Sequence, residues 1–209
     1  MSSDAKPSGN PADAPAPKKG MPMWAILLIV AAICLIAIPC VGIIAAIALP
    51  GFVASKAAAN ETACRANLKS LATAQAQYMQ RTNSYAASGK QLVDQGNLIS
   101  TELANAFENF QGNGDSPAPM PKTGSLYRML LGEGSNPKSY VTATNPTGDM
   151  LLSSWGATGR PAQPPTTGVN QFYITEAGTI YKQPDPMTGK FLLDAAPPQG
   201  NNPGWSMDR

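Results

Sequence analysis

An α+β fold is what this 209-residue sequence predicts: a long N-terminal helix, membrane-embedded in its first half and amphipathic in its second, packed on a small antiparallel β-sheet. Three observations predict it. No charged side chain occurs between Lys19 and Lys56, and the apolar heart of that stretch, Met23 to Leu49, exceeds the about 20 residues that carry a helix across a bilayer. From Phe52 to Met79 the apolar residues recur at helical spacing. β-Branched and aromatic alternation is confined to the stretch from Ser125 to Lys182.

Residues 1–20 carry four prolines among small and polar residues, which cannot bury enough apolar area to offset ordering entropy, so a disordered tail is expected. Residues 21–50 form the membrane helix. At 1.5 Å per residue, Met23 to Leu49 reaches about 40 Å against a hydrocarbon layer of about 30 Å, which predicts tilt or a protruding end. Lys18 and Lys19 precede the run as in a secretory signal, but the run is too long and lacks a small-x-small cleavage site, which favours a retained anchor. Ile33 before Cys34 and Pro39 before Cys40 argue against a lipidated cysteine, which normally follows a small residue. Lysines flank both ends of the run, and the pair abutting it on the N-terminal side favours a cytoplasmic tail. Trp24 then fits an interfacial anchor, and Pro39 and Pro50 predict bends.

Residues 51–209 make one extracytoplasmic domain with a single core. Its helix spans about 52–81, with Cys64, Leu68, Leu71, Ala72, Gln75, Tyr78 and Met79 on one face and Lys56, Arg65, Lys69 and Gln77 elsewhere. Cys64, Leu68, Leu71 and Tyr78 are the candidates for attaching helix to sheet, and Cys64 on that stripe reads as a small buried hydrophobe. The helix should end near Thr82-Asn83-Ser84, where short polar side chains compete for backbone hydrogen bonds. Short helices are expected at Lys90–Asp94 and Glu102–Phe107 within a loop region of 82–124. The sheet, about 125–183, takes three or four strands from SLYRMLL, SYVTAT, QFYIT and TIYK, the last two joined as a hairpin by Glu176-Ala177-Gly178. Asn145 to Asn170, rich in Gly, Pro, Thr and Ser, reads as a long insertion, functional or mobile, and residues 184–209 as an irregular tail. The 19 Gly and 20 Pro predict a loop-rich exterior.

Composition also narrows the chemistry. With no histidine, the usual base for a Ser or Cys nucleophile and the commonest zinc ligand are missing, so no catalytic, metal or cofactor residues are assigned and the chain reads as a non-enzyme. Net charge is +2 with scattered basic residues, which disfavours nucleic acid. No small-molecule substrate is expected. Three cysteines, two inside the apolar run, cannot build a disulfide framework. Asp115, Asp149, Asp185 and Asp194 lack calcium-loop spacing and read as solvated carboxylates. Tyr127, Tyr140, Phe172, Tyr173 and Tyr181 read as core and cross-strand packing, and Trp155 and Trp205 as packing onto the sheet. The sequon-like Asn60-Glu61-Thr62 sits mid-helix and is given no role.

The passage from Gly42-Ile43-Ile44-Ala45-Ala46-Ile47-Ala48-Leu49-Pro50 into the alanine-rich helix, followed by a loop with Tyr85 and by FYITEAGTI, resembles type IV pilins and type II secretion pseudopilins. The resemblance implies a structural subunit of a pilus-like or secretion-type assembly in the bacterial inner membrane, its domain periplasmic or extracellular. Its partners would be lipid and other pilin-like subunits, met through Gly42, Ala45, Ala46, Ala48 and Pro50. The processing site it implies is Gly20-Met21, in degenerate form: Ala25 stands where the family places a Glu, and the apolar run starts before Ile29, where the family's would begin. The competing reading is a permanently tethered binding or sensing module that uses the Asn145–Asn170 loop and the sheet face.

Overall fold

The computed structural model describes residues 22–107, 119–144, 146, 148–193, 196–197 and 204–208, with no side-chain description for 36–50. The expected disordered tail, Gly20, Met21, Asp115, Asp194 and most of the Gly/Pro loop after Phe107 lie outside these residues. Helix α1 runs Met23–Thr82, its backbone helical through both Pro39 and Pro50. The chain forms two compact units, Met1–Ala48 and Leu49–Arg209.

In the first unit the described side chains are almost all exposed, Trp24, Leu27, Leu28, Ile29, Ile33 and Leu35 among them. These residues occupy every side of the helix, so the segment has no polar face. Among the described residues no helix is long and apolar enough to cross a membrane; the second half of the apolar run falls in the stretch without described side chains. Gly42, Ala45, Ala46, Ala48 and Pro50 lie in that stretch, within the helical backbone of α1.

The second unit is mixed helix and antiparallel sheet. After α1 come β1 (Tyr85–Ala86), α2 (Gly89–Asp94), α3 (Thr101–Ala104), β2 (Ser125–Leu130), β3 (Val141–Thr144), β4 (Met150–Leu152), β5 (Gly156–Pro161), β6 (Asn170–Thr175), β7 (Ile180–Pro184) and β8 (Ser206–Met207). They form two sheets, ordered β1-β4-β3 and β2-β5-β6-β7-β8, all pairs antiparallel. This corrects the expected single sheet of three or four strands.

The largest correction concerns residues 145–170. They hold β4 and β5, and β5 is an inner strand of the larger sheet, buried along its whole length, rather than part of an insertion. Its sequence, Gly-Ala-Thr-Gly-Arg-Pro, carries almost none of the β-branched or aromatic signal of a strand. Packing explains the small residues. A methyl group on Gly159 would lie 2.6 Å from Cys64 Sγ and 3.2 Å from the Tyr127 ring, and one on Gly156 3.2 Å from the Tyr173 ring. At Gly159 the approach of α1 at Cys64 leaves no space for an ordinary strand side chain, and at Gly156 the same limit comes from Tyr173 and Leu130 on the other face.

Cross-strand register sets the two faces. Tyr127, Gly159 and Phe172 are aligned across β2, β5 and β6, as are Met129, Ala157 and Ile174. They pack in one core with Cys64, Leu68, Leu71 and Tyr78 of α1, all buried, and with Leu92, Leu103 and Phe107. The opposite face carries Leu130, Tyr173 and Ala196, with Tyr140, Tyr181, Leu193 and Trp205 packed against them. The sheet is therefore covered on both faces. The C-terminal stretch expected to be irregular contributes Phe191, which lies under the guanidiniums of Arg128 and Arg160 at 4.8 and 5.0 Å, and β8, which pairs with β7. Asp208 bonds Arg65 at 2.5 Å and Lys182 at 3.1 Å, tying this edge to α1.

Buried glutamines supply hydrogen bonds that short strands leave unmade. Gln75, fully buried on α1, donates from Nε2 to the Ala86 carbonyl at 2.8 Å and accepts the Ala86 N–H at 2.9 Å, as a neighbouring strand would. Gln91 closes a capping box with Ser88 and also donates to the Met150 carbonyl at 3.0 Å, linking α2 to β4. Gln171 donates to Asp185 and the Lys190 carbonyl and accepts from the Leu192 N–H. Asp185, expected to be solvated, is buried in this network and also accepts from the Met187 N–H at 2.6 Å. Glu61 accepts from the Val169 N–H at 2.7 Å and the Asn170 N–H at 2.9 Å, so the tripeptide given no role contains the residue that clamps the chain entering β6.

The helix ends as expected: Thr82 is its last residue, its hydroxyl bonds the Tyr78 carbonyl, and Asn83 turns the chain at φ 56°. The short helices also fall where expected, although α3 stops at Ala104, short of Phe107, which bridges to Tyr127 in β2.

Two substitutions test this packing, read as unfolding free energies of the full chain in detergent. Gly159→Ala should cost about 2–3 kcal/mol by overpacking, with part recovered when Cys64→Ala is added. Gln75→Leu should cost about 2–4 kcal/mol, because it strands both polar groups of Ala86. Equal stability to the parent in either case contradicts the contact concerned.

Candidate functional site

The sheet face turned away from α1 holds a cavity of about 240 Å³ beside the β6–β7 hairpin. Its wall begins with Tyr173 on β6 and Tyr181 on β7, cross-strand partners whose rings stack at 5.9 Å and 22°. Trp205, just before β8, meets Tyr173 edge-on at 6.1 Å and 72°. Tyr140 faces the cavity from the turn before β3, its backbone held by bonds from its N–H to the Leu131 carbonyl and from the Ser153 N–H to its own carbonyl. Trp155 lines the cavity while buried in the main core.

Two carboxylates complete the wall. Glu176 sits in the hairpin turn, which closes with a 2.8 Å bond from the Gly178 N–H to the Thr175 carbonyl, and Gly178 takes φ 77°, a conformation glycine adopts without strain. The Glu176 carboxylate accepts from the Tyr85 hydroxyl at 2.9 Å and from the Ser154 hydroxyl at 2.5 Å. Glu133 is placed by a turn in which the Gly134 N–H bonds the Ala196 carbonyl and the Ala196 N–H the Gly132 carbonyl, each at 2.8 Å. That turn is tight: a methyl group on Gly132 would lie 2.1 Å from the Asn136 carbonyl oxygen.

Among the described residues the lining includes Glu133 and Glu176 but no Lys or Arg, so two carboxylates face one small space. The neighbouring tyrosines respond to burial and to that charge. Burial and then the Glu133 carboxylate push the Tyr140 hydroxyl above its ordinary range. Tyr173 is raised by burial, then by Tyr140 and Glu133. Tyr85 is raised by burial and by its bond to Glu176. All three therefore remain protonated donors at neutral pH. The result is an acidic cavity with aromatic walls, in which the Tyr85 and Ser154 hydroxyls are already engaged by Glu176.

Few of these residues stand out in the sequence. Tyr140 and Tyr181, expected only to pack, are half-buried cavity walls, whereas Tyr127 and Phe172 lie in the core. Trp155 is buried and Trp205 packs onto the sheet. Glu133 and Glu176 are far apart in the chain, and the only local signal was the hairpin turn that contains Glu176.

No set of three or more Cys, Asp or Glu residues is placed to hold a metal ion among the described residues. No protein-family model, curated protein or solved structure matches this chain.

Cys64, the thiol at the helix–sheet contact, is buried, and that burial pushes it up to about 12. Folding therefore holds its proton, while the unfolded chain loses it near the ordinary value of 9.0. The sign follows: this group costs nothing well below pH 9, and stability falls as pH rises through 9 towards 12, because only the unfolded chain releases the proton there. Urea unfolding between pH 8 and 11 should show that extra slope relative to Cys64→Ala. In a Cys34→Ser, Cys40→Ser background, Cys64 should resist iodoacetamide at pH 8 until urea unfolds the chain.

Proposed function

We propose that this chain is a single-pass, membrane-anchored structural protein of pilin or pseudopilin type, part of a type IV pilus or type II secretion-like assembly. Its tail is cytoplasmic, α1 enters the bacterial inner membrane, and the α+β unit stands on the periplasmic or extracellular side. The observation that carries this reading is the change of character along α1. From Met23 to Leu35 the large apolar side chains are exposed all round the helix, whereas Cys64, Leu68, Leu71 and Tyr78 form one buried stripe against the sheet. An apolar surface of the first kind needs lipid or other apolar helices around it. The uncharged sequence continues to Ser55, past the length a bilayer requires. Small residues Gly42, Ala45, Ala46 and Ala48 suit close lateral contact between copies.

A tethered binding module is the second reading, and the acidic aromatic cavity favours it. In that case the same anchor serves as a tether and no filament forms. Neither reading involves catalysis, consistent with a chain that has no histidine.

Cell fractionation tests the shared part: the full chain should remain with membranes after alkaline carbonate extraction, and release into the soluble fraction overturns both readings. Mass spectrometry of the N-terminal peptide then separates them. A peptide starting at Met21, N-methylated, is the outcome expected for the assembling subunit; a chain still starting at Met1 or Ser2 supports the tether. In the assembling case, lysine-reactive crosslinking should join copies, and Ala46→Leu should reduce the joined fraction several-fold.

A further inference from the structure

The geometry points to the cavity beside the β6–β7 hairpin as a binding site for an alkylammonium group, its positive head held by Glu133 and Glu176 and its stem lying against Tyr173 and Tyr181. This goes beyond the assembly reading and does not require it, because the cavity lies wholly within the Leu49–Arg209 unit.

Charge selects the ligand class. Among the described residues the lining contains two carboxylates and no cationic side chain, an arrangement that repels an anion and gives a neutral ligand no electrostatic gain. The aromatic walls narrow the choice further. Stacked Tyr173 and Tyr181 provide π surface that attracts an organic cation and excludes water from its stem. A hydrated metal ion would require a denser set of oxygen ligands than two carboxylates on separate turns. Size sets the last limit, since about 240 Å³ is below the about 300–1,000 Å³ typical of ligand pockets, which suits a short amine or a single side chain.

The site is also preorganised. Tyr85 and Ser154 hold the Glu176 carboxylate by two hydrogen bonds from different segments, so its orientation does not depend on the ligand. A free amine and a lysine side chain of a second copy present the same chemistry.

The test is a titration of the full chain in detergent micelles with n-butylammonium chloride, followed by NMR of 13C-labelled tyrosine rings, with 1-butanol as the neutral control. Saturable shifts at Tyr173 and Tyr181 with the amine, and at least tenfold weaker response to the alcohol, are expected. Glu176→Gln, which removes the charge but keeps an oxygen acceptor for one of the two hydroxyls and turns an N–H towards the oxygen of the other, should weaken amine binding at least tenfold. Tyr181→Leu, which keeps an apolar wall without the π face, should weaken it about threefold to tenfold. Both variants are checked by Tm, and whichever retains the parent Tm decides. Equal response to amine and alcohol, no saturation by 100 mM amine, or unchanged affinity in a folded variant overturns the proposal. Sedimentation then identifies the source: self-association that 100 mM butylammonium dissolves assigns the group to a lysine of a second copy, and amine binding without self-association assigns it to a free amine. Failure here leaves membrane retention and the N-terminal peptide unchanged, so it is distinguishable from failure of the assembly reading.

Discussion

Helix and sheet meet where Cys64 of α1 faces Gly159 of β5, with no space between them for even a methyl group. Most of the second unit follows from that approach. The Tyr127 ring packs beside the same point, its hydroxyl accepting from Asn67 at 2.8 Å, so the pocket around Gly159 is closed by one residue from the helix and one from the neighbouring strand. Phe172, in register with Gly159, lies 4.7 Å beneath the Arg65 guanidinium, and Arg65 also bonds Asp208 beyond β8. A single helical turn thus touches β2, β5, β6 and the chain after β8. Burial of this small-residue seam excludes water from the core, which explains both the raised Cys64 thiol and the low tolerance for added volume.

Short strands and many turns leave backbone groups that sheet pairing does not reach. Side-chain amides fill that role at three places, with Gln75 pairing to β1, Gln91 joining α2 to β4, and Gln171 holding the chain after β7. Buried amides are costly unless satisfied, and each of these makes bonds through both its nitrogen and its oxygen. They specify where loops dock, because an amide pair tolerates little displacement. The acidic cavity is built on the opposite sheet face from this seam, by Tyr173 and Tyr181, which β6 and β7 alternate outward, and by Glu133, Tyr140 and Glu176 on the flanking turns. One sheet therefore holds the helix on one side and presents a charged aromatic surface on the other.

How much of this was legible in the sequence depended on the locality of the signal. Strands β2, β6 and β7 were readable because Leu-Tyr-Arg-Met, Phe-Tyr-Ile and Ile-Tyr-Lys alternate large residues within a few positions. The stripe of Cys64, Leu68, Leu71 and Tyr78 was readable because it repeats at helical spacing along one element. β5 was not readable, since the residues that suit it to its place are small in order to admit the helix, and small residues are also the mark of a loop. The cavity was less readable still, because Glu133, Tyr140, Ser154, Tyr173 and Glu176 belong to separate segments brought together by pairing and turns.

By itself the sequence determined the long helix, the change along it from uncharged to amphipathic, the mixed α+β class, and the absence of histidine chemistry, all properties carried by composition or by periodicity within one segment. Only the tertiary structure decided that a glycine-rich stretch is an inner strand, that Asp185 and the glutamines are buried connectors, and that two distant glutamates share one aromatic cavity. The reason is physical: those outcomes depend on the distance between helix and sheet and on cross-strand register, which are set by pairwise packing between segments far apart in the chain.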